Sequence, residues 1–292
     1  MRLGLFIPSV SPIATPEYLA AFARAAEDGG FSSVWVGEHV VGFDEYESRY
    51  PYADDGRIGL PADSGMLDLF STLAFLAAQT DQLRVGSAVC LLPQRNPVIT
   101  AKEASTVDWL SGGRLDLGIG IGWLREEFDA LDARFDERAV RTREYVEIMR
   151  RLWCDEVSSY EGRYYNLEPC RMNPKPVQQP HPPIYFGGES DAALRRVADL
   201  GSGWHGFNHL PESAVNHVAR LDRLLGERAR SLDDVDVTVC AYLQPVEPAH
   251  LPQYRDADVD QLVLCPFAVD PGGIADAIGK LADAYGSPAK AL

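Results

Sequence analysis

Two adjacent side chains, Glu38 and His39, are the residues of this chain best suited to moving a proton. They follow the apolar run Ser33-Val34-Trp35-Val36, so a strand would deliver both at its C-terminal end. A histidine titrates near neutral pH and can serve there as general acid or base, with the neighbouring carboxylate to orient it. A packed loop residue is the other reading of His39. Gly187-Gly188-Glu189-Ser190 offers different chemistry, that of an anion seat. Its glycines permit close approach, and the first amides of the helix that follows point at whatever occupies the turn.

A third candidate is a surface rather than a reagent. In the run 112–123, Leu115, Leu117, Ile119 and Ile121 alternate with Asp116, Gly118, Gly120 and Gly122, which is strand periodicity. The glycines leave one face without side chains, either for a flat ligand or for a neighbouring backbone or large side chain. The spacing G-x-G-x-G, with strand pattern running through it, is not a dinucleotide fingerprint. Other chemistries fit less well. The first strand, Leu5-Phe6-Ile7-Pro8, offers no metal ligand, and the pair His205 and His209 lacks a surrounding carboxylate cluster, so no metal is expected. A glycosidase would need two facing carboxylates at strand ends, where the fourth strand has Gly122-Trp123. Glu126-Glu127 read as a solvated helix face.

These residues need a scaffold that brings several strand ends together. Strands are expected at Leu3–Ile7, Ser33–Val36, Leu83–Leu91, the glycine run, Ile184–Phe186, Trp204–Phe207, Val235–Leu243 and Val259–Leu264. Helical patterns alternate with them, from Pro16–Asp28 to Gly273–Tyr285. Eight strand–helix units predict an α/β fold, a (β/α)8 barrel of roughly 250 residues with its site at the C-terminal strand ends. The chain of 292 residues then reads as one barrel domain over 1–292, with insertions after strand 2 (42–66) and between strands 4 and 5 (154–183). The first insertion carries Phe43, Tyr46, Tyr50, Tyr52 and Met66 and suits a lid, a dimer contact or a disordered loop; the second ends in a proline-rich connector.

Bulk properties narrow the partners. A net charge of −16 argues against nucleic acid and anionic membranes, and no apolar run reaches the length of a membrane span. Five cysteines without a C-x-x-C pair, behind an N-terminus that runs straight into a strand, suit a reduced, cytoplasmic protein.

The motifs taken together resemble the luciferase-like monooxygenase and coenzyme F420-dependent oxidoreductase superfamily. They are Trp35-Val36-Gly37-Glu38-His39, Ala101-Lys102-Glu103-Ala104, Leu110 to Trp123, Pro176-Val177-Gln178 and Gly187-Gly188, spread over nearly the whole chain. The Gly-Ile-Gly-Trp run and the Pro-Lys-Pro-Val-Gln connector resemble its probable F420-dependent branch. That resemblance implies hydride transfer between coenzyme F420 and a small-molecule substrate. His39 would handle the proton and Glu38 would orient it. It also implies a non-proline cis peptide at Ala88-Val89, a ring lying near Gly120 and Gly122, and a phosphate held by Gly187, Gly188, Glu189 and Ser190 with help from Asn208. Trp123 stands where F420-dependent sugar-phosphate dehydrogenases carry a glutamate, which argues against such substrates and for packing on cofactor or substrate. A reduced-FMN-dependent monooxygenase is the alternative, and a non-catalytic cofactor carrier is a third. Homodimers are common in the family, and the resemblance extends that expectation to this chain.

Overall fold

Apolar runs closed by glycine or proline become the strands, and capped prolines open many of the helices. The computed structural model describes residues 1–61 and 63–292, so Ala62 of the 42–66 insertion lies outside the described residues. In chain order the strands are β1 (Arg2–Ile7), β2 (Ser33–Val36), β3 (Arg84–Ser87), β4 (Cys90–Leu91), β5 (Leu115–Gly120), β6 (Ser158–Glu161), β7 (Asn166–Cys170), β8 (Ile184–Gly187), β9 (Gly203–Phe207), β10 (Asp236–Cys240) and β11 (Gln261–Leu264). The helices are α1 (Pro16–Asp28), α2 (Leu69–Ala78), α3 (Pro97–Ser111), α4 (Arg125–Ala130), α5 (Arg138–Cys154), α6 (Asp191–Leu200), α7 (Pro211–Gly226), α8 (Leu251–Asp256) and α9 (Pro271–Lys290). Pro16 and Pro97 stand in the first turn behind the N-caps Thr15 and Asn96, which accept from the amides of Tyr18 and Val98.

β1 pairs in parallel with both β2 and β11. The ladder then runs β2–β3–β5–β8–β9–β10–β11, which closes a barrel of eight parallel strands. This is the (β/α)8 architecture expected from the alternation of strand and helix patterns. The insertion between β2 and α2 crosses the C-terminal mouth, and that between α5 and β8 carries the antiparallel hairpin β6–β7.

The third strand departs from expectation. Leu83–Leu91 is not one strand, because it is interrupted at Ala88–Val89, whose peptide bond is cis as the resemblance implied. β3 pairs Gly86 with Asp116 and β4 pairs Cys90 with Ile119, so four steps on one strand face three on β5. The extra residue is a bulge, and it turns Val89 toward the glycines of β5 and β8. A β-carbon at Gly120 would lie 2.2 Å from Val89 Cγ2, and one at Gly187 2.9 Å from Val89 Cγ1. Gly118 faces the Ser87 carbonyl, where a β-carbon would come within 2.0 Å. Of the two readings of the glycine face, this one is realised within the barrel wall: its neighbours are a bulged backbone and one valine. The last helix also runs longer than Gly273–Tyr285, because Tyr285 and Ala289 are buried and the Tyr285 hydroxyl donates to the Val246 carbonyl at 2.7 Å.

Alternate residues of each strand point inward and fill the barrel in layers. At the floor, Arg2 pairs with Asp236, the Tyr185 hydroxyl donates to Asp236 at 3.0 Å and Arg84 Nε donates to Asp116 at 2.8 Å. Above lie Trp35, Tyr185 and His205, with the Trp35 ring centroid 5.4 Å from Tyr185 and 4.6 Å from His205. The indole fits because its neighbour is Gly86, whose added β-carbon would sit 2.5 Å from Trp35 Cε3. Phe6, Phe207 and Tyr242 form the upper layer. Helices cover the outside, where the Leu115, Leu117 and Ile119 face of β5 is fully buried.

Two outcomes follow from this packing. Gly120→Ala should lower stability by about 1–3 kcal/mol through overpacking against Val89, and adding Val89→Ala should recover part of it in urea unfolding. Equal loss in the single and double variants would refute the contact. His205 is fully enclosed, neither nitrogen has a partner among the described residues, and burial pushes its pKa down to about 3. Between pH 6.5 and that value the unfolded chain takes up a proton that the folded chain refuses. Stability therefore falls as pH drops through this window, by up to about 1.4 kcal/mol per unit. His205→Leu should flatten the urea midpoint between pH 6.5 and 4.5 relative to the unmodified chain, and parallel curves would refute this account.

Candidate active site

The loop after β2 places Glu38 and His39 at the mouth, as the sequence predicted, but their partners differ from expectation. Glu38 does not orient His39. Its side chain is buried and accepts from the Leu91 amide at 2.6 Å and from Arg95 Nε at 2.9 Å, with a second bond to the same guanidinium. Arg95 in turn reaches Glu103 at 3.1 Å. Glu38 thus fastens the β2 end to the segment after β4.

The carboxylate that holds His39 is Glu127, on α4. His39 Nδ1 lies 3.0 Å from Glu127 Oε2, the Val40 amide donates to Glu127 Oε1 at 2.6 Å, and Gln94 Nε2 donates to Oε2 at 3.0 Å. The Glu127 side chain has no solvent exposure, so the solvated-face reading of Glu126-Glu127 is corrected here. Burial alone would raise its pKa, but the bonds from His39, Gln94 and the Val40 amide outweigh it and hold the carboxyl below its ordinary value. An ionised carboxylate only accepts, so His39 Nδ1 carries the proton in this bond and Nε2 is left for another group. The signal was in the sequence: Leu124, Glu127, Phe128 and Leu131 share one face of a short helix, with a glutamate inside an apolar stripe.

Trp123 follows β5 and presents its ring to His39, edge to face at a centroid distance of 5.8 Å. Gly122, at φ +77°, makes the turn that precedes it, and a β-carbon there would meet Phe128 of α4 at 2.7 Å. Tyr46 and Tyr50 of the insertion lie on the same indole, at 5.7 and 5.2 Å. Glu126, next to the buried glutamate, accepts from the amides of Glu47 and Ser48 at 2.6 and 3.2 Å, and the Ser48 hydroxyl accepts from the Arg125 amide at 3.0 Å. One end of the insertion is thereby fixed to α4.

The other predicted cluster lies across the mouth. Gly187 ends β8 against Val89, which Gly120 also touches, so Ala88-Val89, Gly120 and Gly187 form one wall. Gly188 has φ +101°, and its carbonyl accepts from Trp204 Nε1 at 3.1 Å. Ser190 caps α6, accepting from the Ala193 amide at 3.2 Å. Glu189 accepts from the Tyr52 hydroxyl at 2.9 Å and from the Phe207 amide at 3.2 Å, and His209 Nε2 stands 3.7 Å from it. His209 is itself buried, bonds Ser213 through Nδ1 and has no hydrogen-bond partner for Nε2 among the described residues. Asn208, at φ +65°, accepts from Gln244 at 3.2 Å and lines a cavity of about 310 Å³ with Leu210, Ser213 and Asn216.

Tyr52 also packs on Phe207 at 4.9 Å and on Tyr50 at 5.5 Å. The insertion is therefore a strap over the mouth, pinned at α4 and at Glu189. Its irregular sequence has no periodicity that foretells these contacts. Among the described residues no group of three or more His, Cys, Asp or Glu side chains is arranged to hold a metal ion, and no helix is long and apolar enough to cross a membrane.

The comparisons agree with the fold. A protein of Mycobacterium bovis described as uncharacterized is 33% identical over 209 residues, 72% of each chain. The FMNH2-dependent dimethylsulfone monooxygenase of Pseudomonas putida is 31% identical over 188 residues, 63% of this chain and 50% of the relative. The coenzyme F420-dependent tetrahydromethanopterin reductase of Methanopyrus kandleri superposes with a TM-score of 0.75 at 18% identity, covering 97% of both chains. The profile described as luciferase-like monooxygenase matches residues 1–246. That match covers most of the chain, which belongs to the luciferase-like monooxygenase family.

Proposed function

We propose that the chain is an oxidoreductase that transfers a hydride between coenzyme F420 and a small organic molecule. The observation that carries this reading is the His39–Glu127 pair, a proton-handling histidine aimed by a buried carboxylate at the same end of the barrel as the Val89–Gly120–Gly187 wall. The residues present fit a flat ring bearing a phosphate. Ala88, Val89 and Gly120 offer a wall without long side chains, and Gly122 and Trp123 close its end. Gly187, Gly188, Ser190 and the N terminus of α6 offer positive backbone dipole to an anion. His209 Nε2, buried and without a hydrogen-bond partner among the described residues, adds a polar atom on that side, and Asn208 flanks it. Glu189 opposes an anion, and its present bonds to Tyr52 and the Phe207 amide offset that charge.

Bound there, the deazaflavin supplies a carbon that gives or accepts a hydride. This chain's own part is the proton. With Nδ1 committed to Glu127, neutral His39 takes a proton at Nε2 from a substrate hydroxyl, and the imidazolium returns one to a substrate oxygen in the reverse direction. Glu127 stabilises the charged ring and prevents it from rotating. Trp123 and the strap tyrosines exclude water from that exchange.

The reading with FMN in the same seat has support of its own, because a relative at 31% identity is named for FMNH2. The two cofactors separate by chemistry, since a carbon at the deazaflavin's reactive position does not support the flavin's reaction with oxygen. Titration of the purified chain with oxidised F420 and with FMN, read by fluorescence, should give saturable binding of F420 and weaker binding of FMN; the opposite order favours the monooxygenase. His39→Ala should cut turnover by about 10²–10⁴-fold, and Glu127→Gln by about tenfold, while cofactor affinity stays within about twofold. Turnover untouched by His39→Ala would remove the proposed role, and binding without turnover in either form would indicate a carrier.

A further inference from the structure

We infer that α5 and α6, among the outer helices, form between them a site for a phosphate group held by Arg196 and Arg138. Strands β5 and β8 are paired, so the helices that follow them lie side by side on the outside of the barrel. α5 packs on α3 and α6 packs on α7, while α5 and α6 meet through polar bridges. Arg143 of α5 pairs with Asp199 of α6, and Arg150 donates to the Leu200 carbonyl. Arg196 stands three residues before Asp199, so it shares the face of α6 that is turned to α5. Arg196 is only 5% exposed there, and among the described residues its guanidinium has neither a hydrogen-bond acceptor nor a carboxylate partner. Arg138 opens α5 on the other side. It lies on the Phe135 ring at 3.7 Å, donates once to the Phe135 carbonyl at 2.9 Å, and likewise has no carboxylate partner and an unpartnered, buried Nε.

A guanidinium withdrawn from water without a counter-charge is costly. Burial and the charges of Arg143 and Arg138 push the Arg196 pKa down to about 10, so the group is still charged at neutral pH. Shortage of carboxylates is not the reason, because Asp and Glu number 43 against 27 Lys and Arg. The nearby ones are closed on other partners: Asp199 on Arg143 and Arg228, Asp136 on Arg125, and Glu137 on Arg141. Elsewhere the chain closes an arginine without a carboxylate on carbonyls. Arg114 takes those of Ala77, Thr80 and Leu83, and Arg230 those of Ala198 and Gly201. Arg196 has neither kind of partner, so the acceptor has to come from outside the chain. Guanidinium forks match the oxygens of a phosphate, and two forks on facing helices suit a group with acceptors on several sides. Arg138 is partly exposed, which gives such a ligand its way in.

The test is thermal unfolding of the full chain in inorganic phosphate and in chloride, at matched ionic strength and neutral pH. Phosphate should raise Tm by about 2–4 °C over chloride. Arg196→Met should lose most of that rise, yet in chloride it should unfold no earlier than the unmodified chain, because an unpaired charge has given way to an apolar side chain of similar length. Arg138→Gln changes a partly exposed position and should fold normally; in calorimetric titration it should bind phosphate about tenfold more weakly. Glycerol 1-phosphate, titrated alongside, separates the two sources of the group: tighter binding than inorganic phosphate assigns the site to an organic phosphate, and weaker binding assigns it to the free ion. An equal Tm in both salts would overturn the inference. So would a phosphate response that survives both substitutions, since it would then arise elsewhere, such as the turn at Gly188. Marked loss of stability by Arg196→Met in chloride would also overturn it, by showing the guanidinium to be paired within the protein.

Discussion

A carboxylate sealed from water has to be solvated by protein, and at Glu127 that requirement organises the mouth of the barrel. Its donors come from two segments, His39 and Val40 after β2 and Gln94 after β4, and all reach a residue of α4. Each bond to a charged acceptor contributes about 1.5–3 kcal/mol, and removal of the acceptor would strand buried donors. The segments are therefore held where Glu127 needs them. The Glu38–Arg95 pair acts in the same way one shell below, joining the β2 end to the segment after β4. Position at this rim is set by polar closure more than by apolar packing.

Below the rim the constraint is volume. A barrel of eight strands has room for side chains and little else, so a large residue on one strand needs a small one opposite. Trp35 answers Gly86, Tyr185 answers Gly203, and Val89 answers both Gly120 and Gly187. The bulge at Ala88–Val89 belongs to this scheme, because without the extra residue Val89 would not point at the glycines.

The fold was legible because β-strands and helices have distinct periods, and glycine and proline mark where one passes into the other. Eight strands could be counted on those grounds. The bulge could not, since an alternating apolar run gives no sign that one residue is surplus until the partner strand is known. At the site, His39 was readable by residue type, but its partner was not. Sequence adjacency favoured Glu38, whereas backbone geometry gives Glu38 to Arg95 and brings Glu127 across 88 positions. The apolar stripe around Glu127 was the available clue, muted because α4 is only 6 residues long. The strap tyrosines carry no periodic signal, so nothing in their spacing announces what they cover.

The two moorings of the strap are unequal in strength. On the α4 side, Glu126 takes two backbone amides, Ser48 accepts a third from Arg125, and Tyr46 and Tyr50 lie on Trp123. On the far side one phenol meets Glu189, backed by the Tyr52–Phe207 contact. The ring that rests on Trp123 and the phenol that closes on Glu189 stand two residues apart, at Tyr50 and Tyr52, so the acid–base side and the glycine-turn side of the mouth share one roof.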